Sequence, residues 1–296
     1  MPTRERVIAL GFFDGVHLGH KQLLKTAADT AAKTGTVPSL ITFDNHPDTL
    51  VRGSRVELIN SAEDRALIVK EQCGIEDMIL LHFDEQVMRT PWRDFMRSLV
   101  CEYNAGHIVI GDDFCCGYRG EGTADLIAEF CSERGIGCDI IPKVAKNGVS
   151  VSSTYIRELL LMGDISSANE FLGHRHFFTD TVVRGRGVGR QLGTPTINMH
   201  FQSGVLVPRR GVYAAVAHFG GKSYGAVTNI GIRPTFGESE DVSVESWLFD
   251  YSGSAYGEKV RLEFVDFIRP EQKFDSPEAL STQILADSVR AREILR

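Results

Sequence analysis

The chain has 296 residues with ordinary globular composition, 43% hydrophobic and 24% charged, enough for one large domain or two ordinary ones. Its formal net charge is −7 and no Lys/Arg-rich block occurs, which argues against a nucleic-acid partner or a membrane surface. No apolar run is long enough to span a bilayer, and the apolar start "VIALGFF" ends at Asp14 and reads as a strand rather than a signal peptide, so a cytoplasmic location is expected.

In chain order, the first half alternates strand and helix signals. "RVIALGF" suits a buried parallel strand, and "HKQLLKTAADTAAKTG" has helical spacing that stops at Gly35. "VPSLITFD", "DMILLHFD", "HIVIGDDF" and "CDIIPKV" read as strands. Between them "SAEDRALIVKEQCG", "TPWRDFMRSLVCEYNAG" and "GTADLIAEFCSERGIG" read as helices, so a mostly parallel, doubly covered α/β sheet is expected. "STYIRELLLMGDISSANEFLG" predicts two short helices broken at Gly163. Past His176 the segments become short, alternating and β-branched, with a hairpin signal at Gly220-Gly221, which predicts an antiparallel barrel or sandwich. "SPEALSTQILADSVRAREIL" predicts a capped terminal helix. The change of pattern divides the chain into residues 1–168 and 169–296. Cys73, Cys101, Cys115, Cys116, Cys131 and Cys138 form no CxxC pair and read as reduced thiols.

The first candidate site follows the first strand. In "LGFFDGVHLGHKQLL", Gly11, Gly15 and Gly19 permit close backbone approach to a ligand, and the helix start offers unpaired N–H groups to a phosphate. His17 and His20 are one turn apart and can face the same ligand, where two imidazoles can donate to charge developing on a phosphate. The plain alternative is one capping and one solvated histidine. There is neither a P-loop nor a GxGxxG motif. Downstream, "VSSTYIRELL" puts Ser152, Ser153 and Thr154 at a helix start with Arg157 one turn on, a second phosphate site or a simple cap.

"GFFDGVHLGH" resembles the HxGH motif of the nucleotidylyltransferase superfamily, and "VSSTYIRELL" its second nucleotide signature. "TFDNHP" and "GDDFCCGYRGEG" are similar to the flavin-side loops of bacterial FMN adenylyltransferase, also called FAD synthetase. The resemblance implies catalytic roles for His17, His20 and Arg157. It implies ATP contacts for Gly11, Phe12, Phe13, Asp14, Gly15, Gly19, Ser153 and Thr154, and flavin contacts for Asn45, His46, Pro47 and Asp113. The family more often has Asn at Phe12, Pro at Asn45 and an aromatic where Cys115 and Cys116 stand.

The second candidate site lies in the other half. "RGRGVGRQLGTPTINM" combines Gly185, Gly187, Gly189 and Gly193 with Arg186 and Arg190, a loop able to fold over phosphates. Thr196 and Asn198 alternate, so on a strand they share a face, and neutral oxygens beside nucleotide phosphates suit Mg²⁺. Glu245, in the apolar strand "VSVESWLFD", can accept a proton from a substrate hydroxyl. Singly these features read as a surface turn, a strand edge and a solvated carboxylate. Together with "GVY", "VTNIGIRPTFG" and the terminal helix they resemble riboflavin kinase, which implies ATP contacts at Gly185, Gly187, Gly189 and Arg190. It also implies flavin contacts at Asp287 and Arg292. Trp247 stands where that family often has histidine.

The whole resembles the bifunctional bacterial riboflavin kinase/FAD synthetase family. That implies a Rossmann-like parallel-sheet nucleotidylyltransferase domain followed by a β-barrel kinase domain with a C-terminal helix. The expected chemistry is phosphorylation of riboflavin to FMN, then adenylylation of FMN to FAD, with ATP as co-substrate, Mg²⁺ as cofactor and pyrophosphate released. The partners are then riboflavin, FMN, FAD and ATP. A chain with one live activity, or a flavin-binding regulator, is the alternative at this stage.

Overall fold

The computed structural model describes residues 5–51, 53, 56–185, 196–233 and 241–296. The chain divides into two compact units, residues 1–58 with 62–153 and residues 59–61 with 154–296.

The first unit is built on five parallel strands: β1 (Arg6–Leu10), β2 (Val37–Phe43), β3 (Asp77–Leu81), β4 (Ala105–Gly111) and β7 (Gly137–Ile141), in the order β3-β2-β1-β4-β7. The nearly continuous apolar runs Val7–Leu10, Leu40–Ile41 and Ile108–Ile110 are buried, as central parallel strands require. Helices α1 (Leu18–Thr34), α3 (Ala62–Cys73), α5 (Trp92–Cys101) and α6 (Ala124–Glu133) follow β1, β2, β3 and β4. Two single-turn helices that the sequence did not announce, α2 (Pro47–Val51) and α4 (Glu85–Arg89), lie in the loops after β2 and β3. Gly35 ends α1 in the left-handed region at φ 71°, with its N–H on the Ala31 carbonyl. The strand order reverses between β1 and β4, and the crevice at their carboxyl ends is where such sheets hold ligands. The "GDDFCCGYRGEG" segment folds into a ribbon of β5 (Cys115–Cys116) and β6 (Gly122–Thr123). It presses on Trp92, where a Cβ at either Gly117 or Gly122 would lie 2.5 Å from that residue. A second small ribbon, β8 (Ala145–Lys146) with β9 (Val149–Ser150), follows β7.

The helical pair α7 (Ser153–Met162) and α8 (Ile165–Leu172) breaks at Gly163, φ 81°, and Asp164 caps the second helix by accepting the Ser167 N–H at 3.1 Å. The second unit then forms one antiparallel sheet from β10 (Phe177–Thr181), β11 (Thr196–Met199), β12 (Gly211–Phe219), β13 (Lys222–Arg233), β14 (Asp241–Leu248) and β15 (Lys259–Arg269). Their order is β10-β15-β12-β13-β14-β11. A bridge between Val183 and Asn198, with Val183 N–H on the Asn198 carbonyl at 2.9 Å, joins chain leaving the first edge to the last strand, so the sheet curls upon itself. Gly220 and Gly221, both at positive φ, make the tight β12–β13 hairpin. Helix α9 (Pro277–Ile294) closes the chain, with Ser276 accepting the Ala279 N–H and Pro277 in its first turn. Arg269 on β15 grips Asp287 on α9 through Nε at 3.0 Å and Nη2 at 2.7 Å, and Gln283 donates to the same carboxylate.

Candidate active sites

Beyond β1 the chain makes an unusual turn. Phe13 and Val16 sit in the left-handed region at φ 54° and 43°, flanking Gly15 at φ 79°. Non-glycine residues there are strained and need surrounding structure to hold them. The turn delivers His17 to the N-cap of α1, where its Nδ1 accepts the backbone N–H of His20 at 3.2 Å. A backbone amide can only donate, so the neutral His17 ring carries its proton on Nε2. The rings of His17 and His20 stack with centroids 3.5 Å apart and 14° between planes, and Phe13 meets His20 edge-on. Burial, reinforced by the charges of His17 and Arg65, holds the His20 pKa well below the ordinary imidazole value, so this ring is neutral at pH 7.

These residues line a cleft of about 330 Å³ at the carboxyl ends of β1, β4 and β7. Gly11, Phe12, Phe13, His17, Gly19, His20, Asp113 and Ser153 all border it. A Cβ at Gly19 would lie 3.2 Å from the His17 ring, so glycine keeps that wall open. Asp14 and Gly15 are buried beneath it, and Ser153 Oγ donates to the Asp14 carbonyl at 2.9 Å, tying the start of α7 to the turn. Thr154 and Arg157 follow Ser153 on α7, Thr154 exposed and Arg157 half-buried. Asn45, His46 and Pro47 lie at the end of β2, outside the lining of the cleft. His46 packs edge-on against Phe12 at 4.7 Å, and Asn45 donates to the Phe83 carbonyl. Asp113 pairs with Lys143 at 3.2 Å. All six cysteines are unpaired. In the ribbon the Cys116 thiol is pushed up to about 12 by burial and by Cys115, which keeps it protonated.

In the second unit the register decides the chemistry. Glu245 on β14 stands directly opposite Asn198 on β11 and Asn229 on β13, while Trp247 stands opposite Thr196 and Val227. Thr196, Glu245, Trp247, Asn229 and Asp287 border a cavity of about 360 Å³ with a largely apolar lining. Thr196 also borders a second cavity of about 450 Å³, shared with Asn198, Gly185 and the 251–256 loop. A Cβ at Gly185 would lie 2.4 Å from the Asn198 amide, so only glycine leaves that amide room. Asp287 is 4% exposed and its carboxylate is already engaged by Arg269 and Gln283. Arg292, a turn further on, pairs with Asp250 at 3.1 Å and covers Phe249, away from either cavity lining. Gly187, Gly189 and Arg190 lie outside the described residues, as do residues 234–237 of the "VTNIGIRPTFG" stretch.

Two residues of these sites were not singled out from sequence. Asn229 becomes visible only through its register with Glu245. Arg65, fully buried under the cleft, shares a helix face with Ile68 and Val69, and a charged residue in that apolar stripe was the available signal.

With one site of phosphate-binding form in each unit, the chain is a two-headed transferase of the nucleotide-dependent class. A family model described as FAD synthetase matches residues 1–155, and one described as riboflavin kinase matches residues 172–295. The chain is 35% identical to the bifunctional riboflavin kinase/FMN adenylyltransferase of Bacillus subtilis, over 96% of this chain and 91% of that one. It is 30% identical to that of Escherichia coli K12, over 99% and 93%. A crystal structure from Streptococcus pneumoniae described as a macrolide-efflux protein superposes with a TM-score of 0.87 at 29% identity, covering 99% of this chain and 95% of that one. The chain therefore belongs to the bifunctional riboflavin kinase/FMN adenylyltransferase family. It phosphorylates riboflavin to FMN and adenylylates FMN to FAD, with ATP as co-substrate in both reactions. Among the described residues no helix is long and apolar enough to cross a membrane.

Proposed function

We propose the following division of labour among the residues, with the adenylyltransferase carried by residues 1–168 and the kinase by residues 169–296. In the kinase unit, riboflavin occupies the apolar cavity beside Trp247 and the ATP phosphates occupy the cavity beside Gly185. The two meet at Thr196, and this shared residue is the observation that carries the assignment. Glu245 takes the proton from the ribityl 5′-hydroxyl as its oxygen attacks the γ-phosphorus and ADP leaves. Gly187, Gly189 and Arg190 cover the phosphates, and Asp287 and Arg292 shape the flavin side from α9, Asp287 acting through the Arg269 clasp that seats the helix.

Thr196 and Asn198 supply the protein's oxygens to Mg²⁺, which supplies charge neutralisation at the phosphates when bound. The fit is supported by the open cradle at Gly185 and by the pairing of Asn198 with Glu245 across the strands. Among the described residues no cluster of three or more His, Cys, Asp or Glu is placed to hold a metal, which suits a cation held by neutral oxygens and substrate phosphates.

In the adenylyltransferase unit, an FMN phosphate oxygen attacks the α-phosphorus of ATP and the bond to pyrophosphate breaks. No covalent enzyme intermediate is needed. His17, donating from Nε2, and His20 stabilise the charge that develops on the transferred phosphate. Gly11, Phe12, Phe13, Asp14, Gly15 and Gly19 form the backbone wall. Ser153, Thr154 and Arg157 hold the remaining phosphates, while Asn45, His46, Pro47 and Asp113 contact the flavin. We assign this chemistry to the cytoplasm, where ATP is supplied.

The metal assignment is tested by titrating Mg²⁺ in the riboflavin kinase assay of Asn198→Ala. The expected result is a requirement for Mg²⁺ raised by roughly tenfold or more, the scale for a lost or misplaced metal-binding group. An unchanged Mg²⁺ dependence overturns it.

A further inference from the structure

We propose that Arg65 is a positioning residue of the adenylyl-transfer site, clamping the strained turn that presents His17 and His20. The inference rests on the assignment of those two histidines to the adenylyl phosphate.

Arg65 comes from α3 and is 0% exposed. Its Nη1 donates to the Phe12 carbonyl at 2.8 Å, to Thr42 Oγ1 at 2.8 Å and to the Phe43 carbonyl at 3.1 Å. Thr42 in turn donates to the Phe12 carbonyl at 2.6 Å, and the guanidinium lies over the Phe12 ring at 4.9 Å. One buried guanidinium nitrogen thus laces the end of β1 to the end of β2. Nothing in a helix–sheet interface calls for a guanidinium there. Taking a cation out of water is costly unless its donors are used, yet Nε and Nη2 are buried without hydrogen-bond partners, and Arg65 makes no ion pair among the described residues. A cost of this kind points to a local task.

The task is visible one residue on. Phe13, Gly15 and Val16 hold the left-handed conformations that swing His17 onto the helix cap, a geometry that persists only where neighbours over-determine it. Arg65 holds the entry to that turn at Phe12, and Ser153 holds its middle at Asp14. The guanidinium also acts electrostatically on His20, opposing its protonation, as does His17. Asp14 and Asp44 act on Arg65 through space in the opposite sense, and Asp44 is itself paired with His82 at 2.6 Å. Arg65 therefore fixes where the histidines stand, and its charge adds to the burial and the His17 charge that keep His20 neutral.

The experiment compares wild type with Arg65→Met and Arg65→Lys, measuring FMN adenylylation and riboflavin phosphorylation on the same preparations between about pH 5 and pH 8. Because the kinase residues lie in the other unit, kinase turnover reports on folding. Arg65→Met is expected to lower adenylylation on the order of a hundredfold, the scale of a misplaced reacting group. The acidic limb of its pH profile should move to higher pH, since His20 then protonates more readily, with kinase turnover unchanged. Titrations of FMN, ATP and His82 are common to all three proteins. Arg65→Lys keeps the charge, but its shorter side chain leaves the ammonium short of the Nη1 position, so its rate falls while its acidic limb stays with wild type. An Arg65→Met protein with wild-type adenylylation, or with a lowered rate and an unmoved limb, overturns the proposal. Should Arg65→Met lose both activities, Arg65→Lys decides: full adenylylation overturns the clamp, and a selective loss upholds it. A His20→Ala protein that adenylylates normally would instead remove the histidine assignment beneath it.

Discussion

The cleft assigned to adenylyl transfer is assembled where strands stop, whereas the cavities assigned to the kinase are assembled along the strands themselves. In the first unit the chemistry-bearing groups come from turns and a helix cap beyond β1, β4 and β7, and their positions depend on left-handed residues and a buried arginine. In the second, Thr196, Asn198, Asn229 and Glu245 are fixed by antiparallel register alone, each directly opposite a partner on the next strand. A strand-borne site inherits its geometry from the hydrogen-bond ladder. A turn-borne site needs separate clamps, and it can be disturbed from further away.

The sharpest test of this contrast is Glu245→Gln. It leaves the ladder intact and removes only the ability to take a proton, so phosphorylation of riboflavin should drop by about two to four orders of magnitude. Flavin binding should change far less and conversion of supplied FMN to FAD should continue. Steady-state rates beside a flavin fluorescence titration measure both, and wild-type kinase turnover would remove Glu245 from the mechanism. Next in size is His20→Ala, expected to reduce FMN adenylylation by roughly a hundredfold or more while the kinase stays near normal. Chromatographic resolution of FMN and FAD over time from one reaction reads both activities. Equal loss of the two in a folded protein would break the separation of sites.

The smallest effect concerns stability. His176 is 0% exposed, both ring nitrogens lack partners and the ring stacks on Phe264. Burial, with the charge of His174 adding to it, lowers its pKa to about 3. The unfolded chain takes up this proton near the ordinary value of about 6.5, so between those limits the unfolded state binds more protons and stability falls with pH. His176→Phe keeps the stack and removes the uptake. Its thermal midpoint should fall less than that of the parent between about pH 7 and pH 5. The emission of Trp247 in a Trp92→Phe background follows the second unit, and an equal fall in both proteins would exonerate His176.

Much of this was legible in the sequence, for reasons that differ between the halves. "RVIALGF" and "HIVIGDDF" are apolar runs because central parallel strands are buried on both faces, and Gly35, Gly163 and Gly220-Gly221 mark stops that only glycine makes cheaply. His17 and His20 were legible because helical spacing alone puts them together. Thr196 and Asn198 shared a face for a comparable reason, the two-residue period of a strand. Arg65 and Asn229 were not, because each acquires its role from a segment distant in sequence: Phe12 for the arginine, Glu245 for the asparagine. The strand pattern left barrel and sandwich both open, and the curl that brings Val183 to Asn198 decides for the barrel form, since closure is a property of register and not of any one strand.

That register carries a consequence for how the chain is made. All five parallel strands lie before residue 142, so the ribosome has released every strand of the cleft while the second unit is still being synthesised. The curled sheet has no such head start. Among the described residues its first strand, β10, finds its only ladder partner in its last, β15, with Phe177 waiting for Glu263. Until β15 emerges, Phe177 and Phe178 sit on an unpaired edge, and a transcript cut short between residue 154 and β15 yields every lining residue of the cleft together with an open sheet. Translation thus completes the fold that consumes FMN before the fold that produces it.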